Sequence, residues 1–280
     1  MKSLGFVDYY ISEWHANNYP AWIREICEKE GLDLAVRYAW AEEYVSPVDG
    51  RNTDEWCRDF GVERCDTISE LCEKSDYIVI LAPSNPERHL AYAGEVLRYG
   101  KNTYIDKTFA PDFETAKAIF RMADRYGTKF FSTSALRYAD ELKGLNGSRA
   151  VIITGGGGNF EEYIIHQIEM AVKIIGGRPV AARVETQGTQ ILSSVLFDEG
   201  SRVTLLCAEP LPFSVCADTA DGQRIYRQAD SDFFRALMTD MLRFFETGEA
   251  SFDPGETLDV MKIRGALLDG RKYPGEWRNL

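Results

Sequence analysis

Residues 76–83, DYIVILAP, decide the fold: after one acidic residue the run is apolar without alternation, and it stops at a proline. A strand with one wet face alternates apolar and polar side chains. An unbroken run instead suits a strand covered on both faces, as in a parallel sheet. The flanking sequence repeats the theme. LDLAVRYAWA (32–41), NTYID (102–106) and KFFSTSA (129–135) read as further strands, and Leu4 to Val7 as a short first one. Helical patterns lie between them. One follows from about Tyr19 to Gly31, with Pro20 tolerated in its first turn. Others cover 54–60, ended by Gly61, and 67–74, opened by the capping signal Thr67-Ile68-Ser69-Glu70. The last two are 85–99, with Gly100 as its C-cap, and 112–126, closed by Gly127. Strands alternating with helices in this way predict an α/β fold, whose first domain, residues 1–140, is a Rossmann-type doubly wound parallel sheet.

From about Ser148 the texture changes. RAVIITG, ARVETQGT, QILSSVLFDEG, SRVTLLCAE and PFSVCADTADGQRIYRQ read as alternating strands, and Asp198-Glu199-Gly200 and Ala220-Asp221-Gly222 are hairpin signals. Helices are expected at 161–175, 232–246 and 257–268. The second domain, 141–280, is therefore an α+β unit with a largely antiparallel sheet.

The chain carries a formal net charge of -12. Phosphate binding needs clustered Lys and Arg, so a nucleic-acid partner is not expected, nor docking on an anionic membrane. The N-terminal stretch lacks the apolar core of a signal peptide, and no run approaches the ~18 apolar residues that span a bilayer. A reduced, cytoplasmic protein is the expectation. Cys57, Cys65 and Cys72 cluster in sequence, but without zinc-like spacing they read as small buried hydrophobes.

A dinucleotide-binding domain normally carries G-x-G-x-x-G between its first strand and helix. Here residues 5–15 read GFVDYYISEWH, with no glycine after Gly5. Asp8 and Glu13 would bring negative charge toward a pyrophosphate. Two readings stay open: an extra-long loop that still admits the cofactor, or altered or lost NAD binding. Asp8, Tyr9 and His15 are the loop residues placed beside a cofactor. Glu42 or Glu43, after the second strand, could meet a ribose hydroxyl.

Over residues 60–130 the chain resembles the Gfo/Idh/MocA oxidoreductases, relatives of glucose-fructose oxidoreductase and inositol dehydrogenase. The resemblance rests on order and spacing. Pro83 ends a strand, His89 opens a helix, and Asp106-Lys107-Thr108 stands where the family has Glu-Lys-Pro. A second matching stretch, GGGGNFEEYIIHQIEMAVKIIGG (155–177), places Glu162, His166 and Glu169 at i, i+4 and i+7, on one helix face. Arg137-Tyr138 stands where relatives carry an Arg-aromatic pair.

The resemblance implies hydride transfer between NAD or NADP and a secondary alcohol of a sugar or polyol. His166 would be the general base or acid, and Lys107 would hydrogen-bond the reacting oxygen. Glu162 would orient the imidazole or bind a neighbouring hydroxyl. Glu169 and Arg137 would lie on the substrate side; Pro83, His89 and Asp106 would lie on the cofactor side. Relatives often pair through the open face of the second sheet, so a homodimer or homotetramer is expected. The missing glycines motivate a competing reading, a non-catalytic ligand-binding or regulatory protein on an oxidoreductase scaffold.

Overall fold

The apolar run at 76–83 forms the interior strand that its composition demands. In the computed structural model, which describes residues 1–280, Ile78, Val79 and Ile80 are completely buried. They belong to β4 (Tyr77–Ile80). The other strands of this sheet are β1 (Lys2–Asp8), β2 (Leu34–Ala41), β3 (Glu63–Arg64), β5 (Thr103–Ile105) and β6 (Phe130–Phe131). All pair in parallel, in the order β3-β2-β1-β4-β5-β6. The order reverses between β1 and β4, and in open α/β sheets the ligand crevice lies at that point, outside the carboxyl ends of the strands.

Five helices alternate with these strands: α1 (Trp14–Glu30), α2 (Thr53–Phe60), α3 (Ile68–Lys74), α4 (His89–Val96) and α5 (Phe113–Tyr126). The expected glycine stops hold, with Gly61, Gly100 and Gly127 each in the left-handed region at a helix end. The start of α1 differs from expectation: it lies at Trp14, not near Tyr19. The Glu13 carboxylate caps it by accepting from the amides of His15 and Ala16. Glutamate is outside the usual set of N-cap residues, so the sequence offered no start signal there. The replaced loop is consequently only Tyr9 to Glu13, which removes the reading of an extra-long loop.

Gly5 lies inside β1 where α3 closes on the sheet. A Cβ there would sit 2.4 Å from Ser75 Oγ and 2.6 Å from Leu71 Cδ2. Gly5→Ala is therefore expected to lower the unfolding free energy by about 1–3 kcal/mol, through overpacking. Denaturant unfolding checks this, and an unchanged midpoint would contradict such close packing.

The chain divides into two compact units, Met1–Thr133 with Leu237–Pro254, and Ser134–Ala236 with Gly255–Leu280. Within the first, the returning segment packs aromatic side chains on the sheet. Phe244 meets Phe131 edge-on at 4.8 Å, and Phe245 stacks on Tyr77 at 5.1 Å.

The second unit holds β7 (Ala150–Gly155), β8 (Pro179–Gln187), β9 (Gln190–Phe197), β10 (Arg202–Cys207), β11 (Ser214–Asp218), β12 (Arg224–Gln228) and β13 (Arg278–Asn279). Their order is β12-β11-β7-β10-β9-β8-β13, with β7 and β10 parallel and the other pairs antiparallel. Both expected hairpin turns join antiparallel neighbours. Alternating burial along β7 and β10 turns one face of the sheet toward α6 (Phe160–Ile175) and α8 (Glu256–Gly270). Ile152, Leu192 and Tyr226 remain exposed. No helix is long and apolar enough to cross a membrane.

Candidate active site

In the first unit the carboxyl ends of β1, β4 and β5 converge on a buried cluster of acids. Asp8 closes β1. Its Oδ1 accepts from the Tyr9 amide at 2.7 Å and, across the switch point, from the Ala82 amide at 2.9 Å. Burial raises the Asp8 pKa well above its ordinary value, and the neighbouring Glu13 charge adds to this. Counted from Asp8, the positions of a G-x-G-x-x-G motif fall on Asp8, Tyr10 and Glu13. The fingerprint's spacing survives, but side chains stand in place of its glycines.

Glu13 organises the rest. One carboxylate oxygen accepts from the His15 amide at 2.9 Å and also meets His15 Nδ1 at 2.9 Å; the other accepts from the Ala16 amide. His15 Nε2 lies 3.8 Å from Asp106 Oδ2. Asp106, just beyond β5, accepts from the Tyr104 hydroxyl at 3.0 Å through its other oxygen. Asp8 Oδ2 and Asp106 Oδ2 are buried without a hydrogen-bond partner. Tyr19 is buried as well; burial, then the charges of Asp106 and Glu13, push its phenol well above the usual value.

Lys107 follows Asp106. It is half-buried, and its ammonium is 3.5 Å from the carbonyl of the buried Pro83. Tyr9 is stacked under the Arg88 guanidinium at 5.0 Å, and Arg88 pairs with Glu42 at 3.0 Å. Glu42 also accepts from the Tyr92 hydroxyl at 2.7 Å.

His89 requires correction as a cofactor contact. It is fully buried, with Nε2 at 2.6 Å from the Leu81 carbonyl and Nδ1 at 3.0 Å from the Phe109 carbonyl. Both ring nitrogens are thus engaged by backbone, and the side chain ties the turn after β4 to the segment after β5. Burial lowers its pKa, against the opposing pull of the two carbonyls.

The dinucleotide pyrophosphate of a Rossmann domain sits on the amides that open the first helix. Here Glu13 holds those amides, with Asp8 and Asp106 close by. As arranged, this half of the crevice does not fit a phosphate group. The other half keeps a cation, Lys107, beside the turn that ends β4.

The second unit gathers a different set. Asn159 caps α6 by accepting from the Glu162 amide at 2.8 Å, and its amide group donates to the Glu162 carboxylate at 3.2 Å. One turn further, His166 Nδ1 lies 2.7 Å from Ser134 Oγ, which also accepts from the Leu136 amide. The rings of Tyr163 and Phe213 stand edge-on to the imidazole at 5.8 and 5.5 Å. Ser134 was not singled out in the sequence: it is an ordinary serine in the tail of a strand, 32 residues from its partner.

Glu169 shares the α6 face as its spacing requires, but it is engaged with protein groups. Its carboxylate accepts from Arg137 at 3.1 Å and from the Ser134 amide at 3.3 Å, and Arg137 also binds Glu256. Arg137 and Glu169 are 5% and 3% exposed. The two residues placed beside the substrate therefore form a buried ion pair beneath His166 and Ser134. The partner charges raise the pKa of Arg137 against the cost of burial.

The three clustered cysteines are buried, and burial pushes the thiols of Cys57, Cys65 and Cys72 up to about 12, 11 and 12. Thiols held this far from the thiolate form are poor nucleophiles. No group of three or more His, Cys, Asp or Glu is arranged to hold a metal ion.

Residues 42–134 match the model of the GFO_IDH_MocA oxidoreductase family, NAD-binding Rossmann fold. The match begins beyond β1, the replaced loop and α1. No curated protein matches the chain by sequence. Solved structures share the fold over its whole length. A probable dehydrogenase from Thermotoga maritima superposes with TM-score 0.81 at 10% identity, covering 99% of this chain and 98% of the other. Myo-inositol dehydrogenase from Lactobacillus casei, in complex with NAD(H) and myo-inositol, gives 0.78 at 11%, covering 100% and 96%. Aldose-aldose oxidoreductase from Caulobacter crescentus, complexed with glycerol, gives 0.74 at 13%, covering 100% and 99%.

Proposed function

From the match of residues 42–134 to the GFO_IDH_MocA oxidoreductase family, we propose that the chain is a member of that family and oxidises a secondary alcohol of a sugar or polyol, or reduces the matching ketone, with NAD or NADP. The observation that carries the reading is the imidazole of His166, held through Nδ1 by Ser134 at 2.7 Å on the face of α6 that also bears Glu162. The polyol and sugar ligands named for the similar structures support the substrate class.

NAD or NADP, if held, would supply the hydride acceptor for the carbinol carbon. The protein handles the proton and the oxygen. With Nδ1–H donating to Ser134 Oγ, the imidazole presents its lone pair at Nε2 and takes the hydroxyl proton; in reduction it returns it. Imidazole suits both directions because it titrates near neutral pH. By its place in the family motif, Lys107 is the donor to the reacting oxygen as negative charge develops. Glu162, at the helix start, accepts from a neighbouring hydroxyl of the substrate. Arg137 and Glu169 act as positioning residues, because their ion pair fixes the Ser134 amide and so the hydroxyl that holds His166.

We place this chemistry in the cytosol, in a homo-oligomer that covers the exposed strand face bearing Ile152, Leu192 and Tyr226. A sheet with one open apolar face is stabilised when another layer covers it.

The test is a screen of polyols and sugars for reduction of NAD or NADP, followed on the best substrate by Lys107→Ala. Removing one donor from a developing oxyanion costs about 10²–10³ in kcat, so a loss of that order is expected. A variant with full activity would remove Lys107 from the reaction. Failure of every substrate with both cofactors would favour the non-catalytic reading.

A further inference from the structure

We propose that Gly155 and Gly157 are the seats of an aromatic clamp, Phe213 and Tyr163, which fixes the imidazole of His166 for proton transfer. Both rings are thereby positioning residues for the reaction. The inference rests on the acid–base role given to His166 above, and every group in it belongs to the second unit. Three observations lead to it.

First, the glycine run that precedes α6 has no room for side chains. A Cβ on Gly155 would lie 2.4 Å from Phe213 Cδ1, and one on Gly157 would lie 2.0 Å from Tyr163 Cδ1. Between them, a Cβ on Gly156 would meet the Ala208 carbonyl oxygen at 2.6 Å. One on Gly158 would meet nothing within 4 Å, so the requirement for glycine ends where the rings end. Second, the two rings seated on this run are those that stand edge-on to His166, with centroids 5.8 Å (Tyr163) and 5.5 Å (Phe213) from the imidazole. Third, the backbone around the clamp is fastened. Thr154 Oγ1 donates to the Pro212 carbonyl at 2.9 Å and lies 2.6 Å from Ser214 Oγ, so Phe213 is held from both sides. Gln167 Nε2 donates to the carbonyls of Gly155 at 3.2 Å and Leu206 at 3.3 Å, which ties α6 to the run.

The space over Gly155 and Gly157 is thus filled by rings, and the run is no cradle for an anion. The Ser134 contact at 2.7 Å fixes one edge of the imidazole but not the tilt of its plane. Two edge-on aromatic contacts supply that restraint, because such pairs have a preferred geometry. A ring held in one plane keeps Nδ1 on the hydroxyl and Nε2 turned to the substrate, and proton transfer depends on such orientation.

The experiment uses the full chain with Phe213→Leu, Tyr163→Ala, Gly157→Ala and the control Gly158→Ala. Loss of either ring is expected to lower kcat about two- to tenfold with KM little changed, the factor that corresponds to one edge-on pair. Gly157→Ala, which drives a methyl group into the Tyr163 ring, is expected to cost about 10²-fold, the penalty of an ångström-scale displacement. Adding Tyr163→Ala to Gly157→Ala should bring kcat back to the level of Tyr163→Ala alone. In a His166→Gln background neither ring substitution should lower kcat further, because the rings act through the imidazole. Independently of turnover, the ring nitrogens of the three histidines are followed by NMR in isotope-labelled protein, His166 being the signal lost in His166→Gln. The clamp predicts a single tautomer with Nδ1–H in the unmodified protein and in Gly158→Ala, and a mixture in Phe213→Leu and Tyr163→Ala. Folded variants with unchanged kcat and an unchanged tautomer would overturn the clamp. A rise in KM without loss of kcat would overturn it too, making the rings substrate contacts. Should no substrate turn over, the dehydrogenase reading fails, and the histidine spectra alone decide the clamp.

Discussion

His166→Gln is expected to lower kcat by about 10²–10⁴-fold, the range contributed by a well-placed general acid or base. Glutamine is close in size and polar, so it can still meet Ser134, but it cannot exchange a proton at neutral pH. The loss should fall on kcat more than on KM, since proton transfer takes place in the transition state and contributes little to substrate binding. The imidazole is half-buried and makes edge contacts with Tyr163 and Phe213, so the fold should survive the change. Steady-state kinetics on the best polyol, with thermal unfolding as a control, check both points. A loss below about threefold in a folded variant would remove His166 from proton transfer.

The second large effect concerns stability. Arg137→Ala leaves the Glu169 carboxylate buried, 3% exposed, with its guanidinium partner gone. Removing one member of a buried pair costs about 3–5 kcal/mol, because the remaining charge is uncompensated. Glu256, the second partner of Arg137, is 30% exposed and can turn to water, so the damage centres on Glu169. Glu169→Leu combined with Arg137→Met should recover much of the stability, since a well-packed apolar pair can replace an ion pair. Activity should stay low in the double variant, because Ser134 loses the carboxylate that holds its amide. Chemical denaturation and activity measured together separate the two roles. Equal stability of Arg137→Ala and the unmodified protein would show that the pair is dispensable to the fold.

The parts of this protein legible in its sequence are those set by local chemistry. The unbroken apolar run of β4, the glycine stops after α2 and α5, and the two hairpin turns of the second sheet each carry their own signal within a few residues. β3 spans two residues, Glu63 and Arg64, too few to display a period. The start of α1 was hidden because its cap is a glutamate, and helix propensity could not distinguish a loop from a helix across an aromatic stretch. At the site, spacing alone put Glu162, His166 and Glu169 on one face of α6. It could not reveal that Glu169 would pair with Arg137, or that Ser134 would hold His166. Both contacts join residues 32 apart in the chain, and no local pattern encodes them. His89 illustrates the same limit: a histidine opening a helix reads alike whether it faces a ligand or two backbone carbonyls.

The replaced loop, which first suggested a lost cofactor site, is a five-residue turn closed by an internal carboxylate. Its acids are concentrated where a phosphate would sit, and Lys107 stands past them at the end of β5.

The most direct test is thermal unfolding of the purified protein with NADH or NADPH at millimolar concentration. Ligands that bind only the folded state raise its stability. The proposed dehydrogenase function predicts a higher melting temperature with one of the two nucleotides. No rise with either nucleotide would contradict a dinucleotide-dependent function.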